Sequence, residues 1–361
     1  MGAVIEQQVR EVSGRAAKAP VRVAIVGATG YVGRELVAIL ARHPGVRLKA
    51  LMSSKHPGRE QILLSDAHPV LRTVSELTVR PLDAEELAPP EAEIVFLATP
   101  HEVSHDLAPR LVERGLRVID LSGAFRLKDA AAYPRWYGFE HREPAALAQA
   151  VYGLPELNAE AIRTARLVAN PGCYATSIIL ALAPLLKAEV VNATSGIICD
   201  AKSGASGAGR SAKDELLFAN VNENCRAYGL FRHRHVPESL QALQLAEESF
   251  IFTPHLLPLT RGILSTIYVR LTRPLTSDEV REIFARSYAS APLVRIYEDG
   301  RLPEIRAVAN TAYADLGFAL DASGQRLVVV SALDNLGKGA ASQAVENLNL
   351  MLGYPQDTAL K

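Results

Sequence analysis

Over the first half of the chain, short β-branched apolar runs alternate with segments of helical spacing. Residues 21–26 (Val-Arg-Val-Ala-Ile-Val) read as a buried parallel strand. The run leads straight into Gly27-Ala28-Thr29-Gly30-Tyr31-Val32-Gly33. Residues 34–41 then carry helical spacing up to Pro44-Gly45, and a second strand follows at 46–52. Residues 93–100 and 116–121 read as further parallel strands, separated by a helical segment at 104–114. This alternation predicts a doubly wound, Rossmann-type parallel sheet. From Phe125 to Pro155 the pattern gives way to an aromatic, Pro-rich, irregular stretch, of the kind that frames a site or an interface.

The apolar run ending at Ala169 turns at Asn170-Pro171-Gly172, and a new helical segment starts beyond it through Ser177-Ile178-Ile179-Leu180. This spacing places Cys173 in the first turn of a helix, where the partial positive charge of the helix end favours thiolate. Residues 195–201 read as a strand that empties into a Gly/Ser loop, Lys202 to Arg210, bracketed by cations. Later runs at 249–257, 262–271, 293–297, 306–313 and 325–333 read as strands with few helices between them, hence a second domain on a mixed, mostly antiparallel sheet. Asp334 to Ala341 opens a last helix expected to return to the first domain. The predicted organisation is a leader over 1–20, a nucleotide-binding domain over 21–169 with 336–361, and a catalytic and oligomerisation domain over 170–335.

Composition narrows the function classes. The 361 residues balance 39 Lys+Arg against 39 Asp+Glu, which gives no reason to expect a nucleic-acid or anionic-membrane partner. The three cysteines lack paired spacing, so a reducing, cytoplasmic setting is expected rather than a disulfide framework. No apolar run is long enough to span a bilayer, and the first residues carry charges of both signs without a signal-peptide core.

Strand, glycine-rich turn, helix and strand form a dinucleotide-binding unit, with Gly27 for the tight turn, Gly30 for backbone approach to a pyrophosphate and Gly33 for helix packing. Thr29, Tyr31 and Val32 complete that turn. At the end of the second strand, Ser53-Ser54-Lys55 offers hydroxyls and a cation where a carboxylate would select NAD, and so predicts NADP. His233 and His235, two apart and flanked by arginines, lack a third ligand or thiolate pair, so no metal is expected. An acid/base histidine serving Cys173 fits better.

Gly27 to Gly33, Val151-Tyr152-Gly153-Leu154-Pro155-Glu156, Asn170 to Thr176, Lys202 to Arg210, His233-Arg234-His235-Val236-Pro237-Glu238 and Asn335-Leu336-Gly337-Lys338-Gly339-Ala340-Ala341 occur in that order. Together they resemble the long-chain N-acetyl-γ-glutamyl-phosphate reductase family over nearly the whole chain. One departure is Asp120-Leu121-Ser122-Gly123-Ala124-Phe125-Arg126, where the family pattern Ser-Ala-Asp-Phe-Arg loses its aspartate and keeps Arg126.

The resemblance implies NADPH-dependent reduction of an acyl phosphate to N-acetylglutamate semialdehyde in arginine biosynthesis, by a homo-oligomer assembled through its second domain. It implies Cys173 as nucleophile, His235 as acid/base with His233 orienting it or contacting substrate, and Ser203, Gly204 and Asn335 beside the cofactor. Arg126, Ser206, Gly207, Arg210 and Lys338 are the candidate contacts to substrate phosphate or carboxylate, because those groups are anionic. Related acyl-phosphate reductases acting on aspartyl or carrier-bound aminoadipyl phosphate, and a non-catalytic NADP-sensing protein, are the alternatives.

Overall fold

The computed structural model describes residues 19–53, 61–74, 77–298 and 300–361. Ser54, Lys55 and the expected leader up to residue 18 lie outside the described residues.

Eight strands build the first sheet: β1 (Val21–Val26), β2 (Val46–Ser53), β3 (Ile62–Leu63), β4 (Thr78–Pro81), β5 (Ile94–Leu97), β6 (Arg117–Asp120), β7 (Val151–Tyr152) and β8 (Leu167–Ala169). Their order is β3-β4-β2-β1-β5-β6-β8-β7, and only the β3–β4 pairing is antiparallel. The four residues at the β1 end and all of β5 are buried, as expected of strands covered on both faces. Helices α1 (Tyr31–Leu40), α2 (His101–Glu113) and α3 (Pro155–Thr164) accompany this sheet.

The second sheet contains β9 (Ile197–Gly204), β10 (Arg226–Ala227), β11 (Phe250–Leu257), β12 (Ile263–Arg270), β13 (Val294–Ile296), β14 (Ala314–Leu320) and β15 (Arg326–Leu333). The order is β10-β11-β9-β12-β15-β14-β13, with parallel pairing at β11–β9 and β13–β14 and antiparallel pairing elsewhere. It is the mixed sheet expected. Its inner face packs on α4 (Cys173–Lys187), whose run from Tyr174 to Leu182 is buried without a break. Each fully buried Leu or Ile contributes about 1.5–3 kcal/mol, so α4 is anchored along its length. Ser177 Oγ also bonds Ser265 Oγ at 2.8 Å and Ser331 Oγ at 3.1 Å, tying α4 to the two central strands.

One expectation changes. Residues 306–313 are not a strand: the chain makes a short helix, Ile305–Val308, and β14 starts at Ala314. This short helix packs against β15 instead of pairing as a strand. The second sheet also carries α5 (His235–Leu243) and α6 (Ser277–Ser287), the latter started by a reciprocal capping box between Thr276 and Glu279. The last helix, α7 (Ser342–Leu352), begins only after a π-turn at Gly337–Ala341, and its Ala344, Val345 and Leu348 join the core around β1 and α1.

Candidate active site

Gly172, extended at φ −73°, precedes Cys173, which opens α4. Glu238 fixes this entry: its Oε1 accepts from the Gly172 N–H and from the Tyr152 hydroxyl, each at 2.7 Å. Its Oε2 lies 3.4 Å from the Arg126 guanidinium, and neither side chain is more than 7% exposed. Arg126 in turn donates to the Asn170 carbonyl at 2.8 Å and the Leu121 carbonyl at 2.9 Å. Burial works against that guanidinium, yet Glu238 beside it keeps it firmly charged. Arg126 therefore braces the turn before Cys173 rather than waiting free for substrate.

His235 is the first residue of α5, and its imidazole lies flat against Gly172: a methyl group on that glycine would stand 2.3 Å from Nε2. The His233 ring is 4.8 Å away at 75°, and its Nδ1 accepts from the His235 N–H at 3.1 Å. The Tyr174 ring packs edge-on against both imidazoles. Among the described residues His235 Nδ1 has no hydrogen-bond partner, so packing rather than a carboxylate holds this ring. Burial, then the nearby His233 and two arginines, pushes His235 well below the ordinary histidine value. Burial and Arg234 lower His233 to about 4. Both rings are neutral near pH 7.

Cys173 departs from the expectation of a helix-favoured thiolate. Burial pushes its thiol up, outweighing Arg126 and Arg234, which favour the anion. A sulfur held this way needs a base to take its proton when it attacks.

Cys173, Tyr174, His233 and His235 line one cavity of about 640 Å³ with Ser203 and Gly204 at the end of β9 and Gly207 in the turn beyond it. Lys213, Arg226, Arg232 and Arg234 give this cavity four cations. The Gly/Ser loop that follows is ordered. β9 continues to Gly204 and a 3₁₀ turn covers Ala205–Ala208, with Ser206 Oγ accepting from Asn335 Nδ2 at 2.9 Å. Asn335 thus joins Ser206 and Gly207.

The glycine turn after β1 has the backbone geometry expected of a nucleotide turn. Gly27 takes φ +94°, and a Cβ on it would come within 2.2 Å of the Ala98 carbonyl oxygen, so only glycine fits. Gly30 caps α1, Tyr31 and Val32 form its first turn, and Gly33 packs on the Gly27 carbonyl. Thr29 Oγ lies 3.1 Å from Ser53 Oγ at the end of β2. Arg210 leaves the substrate set, because its guanidinium donates to the Thr29 carbonyl at 2.8 Å and so reaches the nucleotide turn. Lys338 leaves it too: its ammonium is fully buried between Glu156 and Glu346.

Two family models match in tandem, the semialdehyde dehydrogenase NAD binding domain over residues 22–165 and the semialdehyde dehydrogenase dimerisation domain over 173–335. An N-acetyl-γ-glutamyl-phosphate reductase of Pelotomaculum thermopropionicum is 48% identical over 343 residues, covering 94% of this chain and 97% of that protein. The chain belongs to the N-acetyl-γ-glutamyl-phosphate reductase family. Relatives of the same name from Moorella thermoacetica and Geobacillus stearothermophilus are each 46% identical over 94% of the chain, covering 98% and 97% of those proteins.

In solved structures the fold matches aspartate semialdehyde dehydrogenase II of Vibrio cholerae, complexed with ASA, at TM-score 0.69 and 20% identity over 93% of this chain and 99% of that one. The Candida albicans aspartate semialdehyde dehydrogenase with NADP matches at TM-score 0.65 and 17% identity, over 94% and 100% of the two chains. For a member of this reductase family, sequence reading passed over Tyr152, Glu238, Lys213 and Arg226 as site residues. Glu238 had a signal, in the Pro-Glu that follows the paired histidines. The two cations had none, because only the fold brings them to the cavity.

Among the described residues no three His, Cys, Asp or Glu side chains gather to hold a metal ion, and no helix is long and apolar enough to cross a membrane.

Proposed function

We propose that this chain reduces N-acetyl-γ-glutamyl phosphate to N-acetylglutamate semialdehyde and phosphate through a thioester on Cys173. The observation that carries this reading is a cysteine at the start of a buried helix, sharing one cavity with two imidazoles and four cations. The sulfur attacks the γ-carbonyl while His235 takes the thiol proton, the C–O bond to phosphate breaks, and the acyl group stays on sulfur. Backbone N–H groups of the first turn of α4 face the developing oxyanion. NADPH, when bound, supplies the hydride that reduces the thioester. The resulting alkoxide expels the sulfur, and His235 returns the proton. Lys213, Arg226, Arg232 and Arg234 supply positive charge for the carboxylate and phosphate of the substrate.

The residues fit a phosphorylated dinucleotide. Gly27, Thr29, Gly30, Tyr31, Val32 and Gly33 would hold the pyrophosphate, with Ser203, Gly204 and Asn335 on the facing side. Ser53 ends β2 with a hydroxyl instead of a carboxylate, and Arg210 stands over Thr29, which together favour the 2′-phosphate of NADP over the bare ribose of NAD. The expected organisation also stands as part of this reading, with a nucleotide domain over 21–169 and 336–361 and a catalytic domain over 170–335, in a cytoplasmic homo-oligomer. The outer face of the second sheet supports a self-association surface. Ile251, Ile198 and Tyr268 lie side by side on β11, β9 and β12, each 41–45% exposed.

The test is a steady-state assay in the phosphorolytic direction, with N-acetylglutamate semialdehyde, phosphate and NADP or NAD. NADP reduction that depends on phosphate, prefers NADP in kcat/KM and disappears in Cys173→Ser is expected. Turnover by Cys173→Ser near the wild-type rate would overturn the thioester route.

A further inference from the structure

Lys338, displaced from the substrate set, lies at the centre of a buried charge cluster. Its Nζ is 2.5 Å from Glu156 Oε1 at the start of α3 and 2.5 Å from Glu346 Oε2 on α7, and all three side chains are fully buried. Such clusters contribute little net stability, since desolvation offsets attraction, and apolar replacements are often as stable. What this cluster determines is where the backbone of Lys338 can sit. That backbone belongs to the π-turn Gly337–Ala341, a wide loop closed by Ala341 N–H to the Leu336 carbonyl. The next residue, Gly339, runs against the nucleophile: a Cβ there would come 2.7 Å from Cys173 Cβ and 3.1 Å from the Asp334 carbonyl oxygen. The Ala340 carbonyl then accepts from Asn170 Nδ2, three residues before the sulfur.

Asp334 holds the near end of the turn, accepting from the Leu336 and Gly337 N–H groups, while Lys338 pins its middle. We propose that Lys338 is a positioning residue for the sulfur nucleophile: anchored from two sides by Glu156 and Glu346, it presses the Gly339 backbone against Cys173 and fixes where the thiol points. Burial pushes the Glu346 carboxyl up, against the pull of the Lys338 ammonium beside it. The inference rests on Cys173 being the nucleophile of the proposed reaction.

Glu156→Leu tests it, because it cuts the tether to α3 yet leaves Lys338 and Glu346 as a balanced pair. The folded variant should bind NADPH within about twofold of wild type. Its kcat should fall about tenfold with KM for the semialdehyde within about threefold, the signature of a misplaced reacting group. Its Cys173 should be alkylated by iodoacetamide several-fold faster. Glu156→Gln, which keeps an acceptor for the ammonium, should restore kcat to within about threefold of wild type.

If Glu156→Leu does not fold, the neutral triple variant Glu156→Gln, Lys338→Met, Glu346→Gln carries the same expectation. A folded tether variant with wild-type kcat and alkylation rate, or a Glu156→Gln enzyme as slow as Glu156→Leu, would overturn the proposal. Alkylation reads the sulfur without substrate, so a wild-type enzyme inactive on N-acetylglutamate semialdehyde would count against the proposed reaction alone.

Discussion

Gly172→Ala offers a sharp test of His235, because it changes no chemical group in the cavity. The backbone there is extended, so alanine adopts it without strain, and the whole effect is steric. The added methyl would lie 2.3 Å from His235 Nε2, 2.6 Å from Cδ2 and 2.7 Å from Cε1, all inside contact distance. The ring is only 6% exposed and is boxed in by Tyr174 and His233, so it cannot swing into solvent. Overpacking of this kind costs about 1–3 kcal/mol of stability. Displacing an acid/base group by about 1 Å costs about 10²-fold in rate, near 2.7 kcal/mol of barrier.

Phosphorolytic kcat of Gly172→Ala should therefore fall about 10²-fold, with KM values for both substrates within about threefold and a melting temperature lower by only a few degrees. The effect should vanish in a His235→Ala background, where the methyl has no ring to displace. Wild-type kcat in the single variant, or an equal loss in both backgrounds, would refute the role given to His235.

His235→Asn should cost more kcat than His233→Asn, since only the former removes the ring lying on Gly172; equal losses in single-turnover kinetics would contradict this. Stability should fall as pH drops from about 6.5 towards 4, because His233 and His141, both lowered to about 4 chiefly by burial, bind their protons in the unfolded chain before the folded one. The sign follows from the unfolded chain holding more protons in that window, and melting curves at stepped pH read it; a melting temperature flat across the window would contradict it. Tyr268→Glu, which puts a charge in the apolar row on the outer sheet face, should shift the assembled wild type towards monomer in sedimentation at fixed concentration. A wild type already monomeric would remove that surface from the proposal.

The parts of this molecule legible in its sequence are those set by local rules. The Gly27 turn could be read because one tight backbone conformation and one helix start share seven residues. Cys173 at its helix start followed from Asn170, Pro171 and Gly172 ahead of the apolar run from Ser177. The strands of the second sheet were visible wherever one face is buried and the side chains alternate, as in β9, β11 and β12.

What escaped depends on partners distant in the chain. Residues 306–313 make a short helix that packs against β15 before β14 begins. Lys338 reads as a cation available to an anion because its two carboxylates lie 182 and 8 residues away. The thiol of Cys173 was expected to ionise readily from its helix position, whereas burial, invisible along the chain, decides the other way.

The helix that carries Cys173 is walled in by core on nearly every residue, and this ties the reactive atom to the most cooperative part of the molecule. Heat should not produce a species that keeps its shape while losing its chemistry. Residual turnover and the loss of native circular dichroism should trace a single curve, because the sulfur cannot shift without the core around its helix giving way.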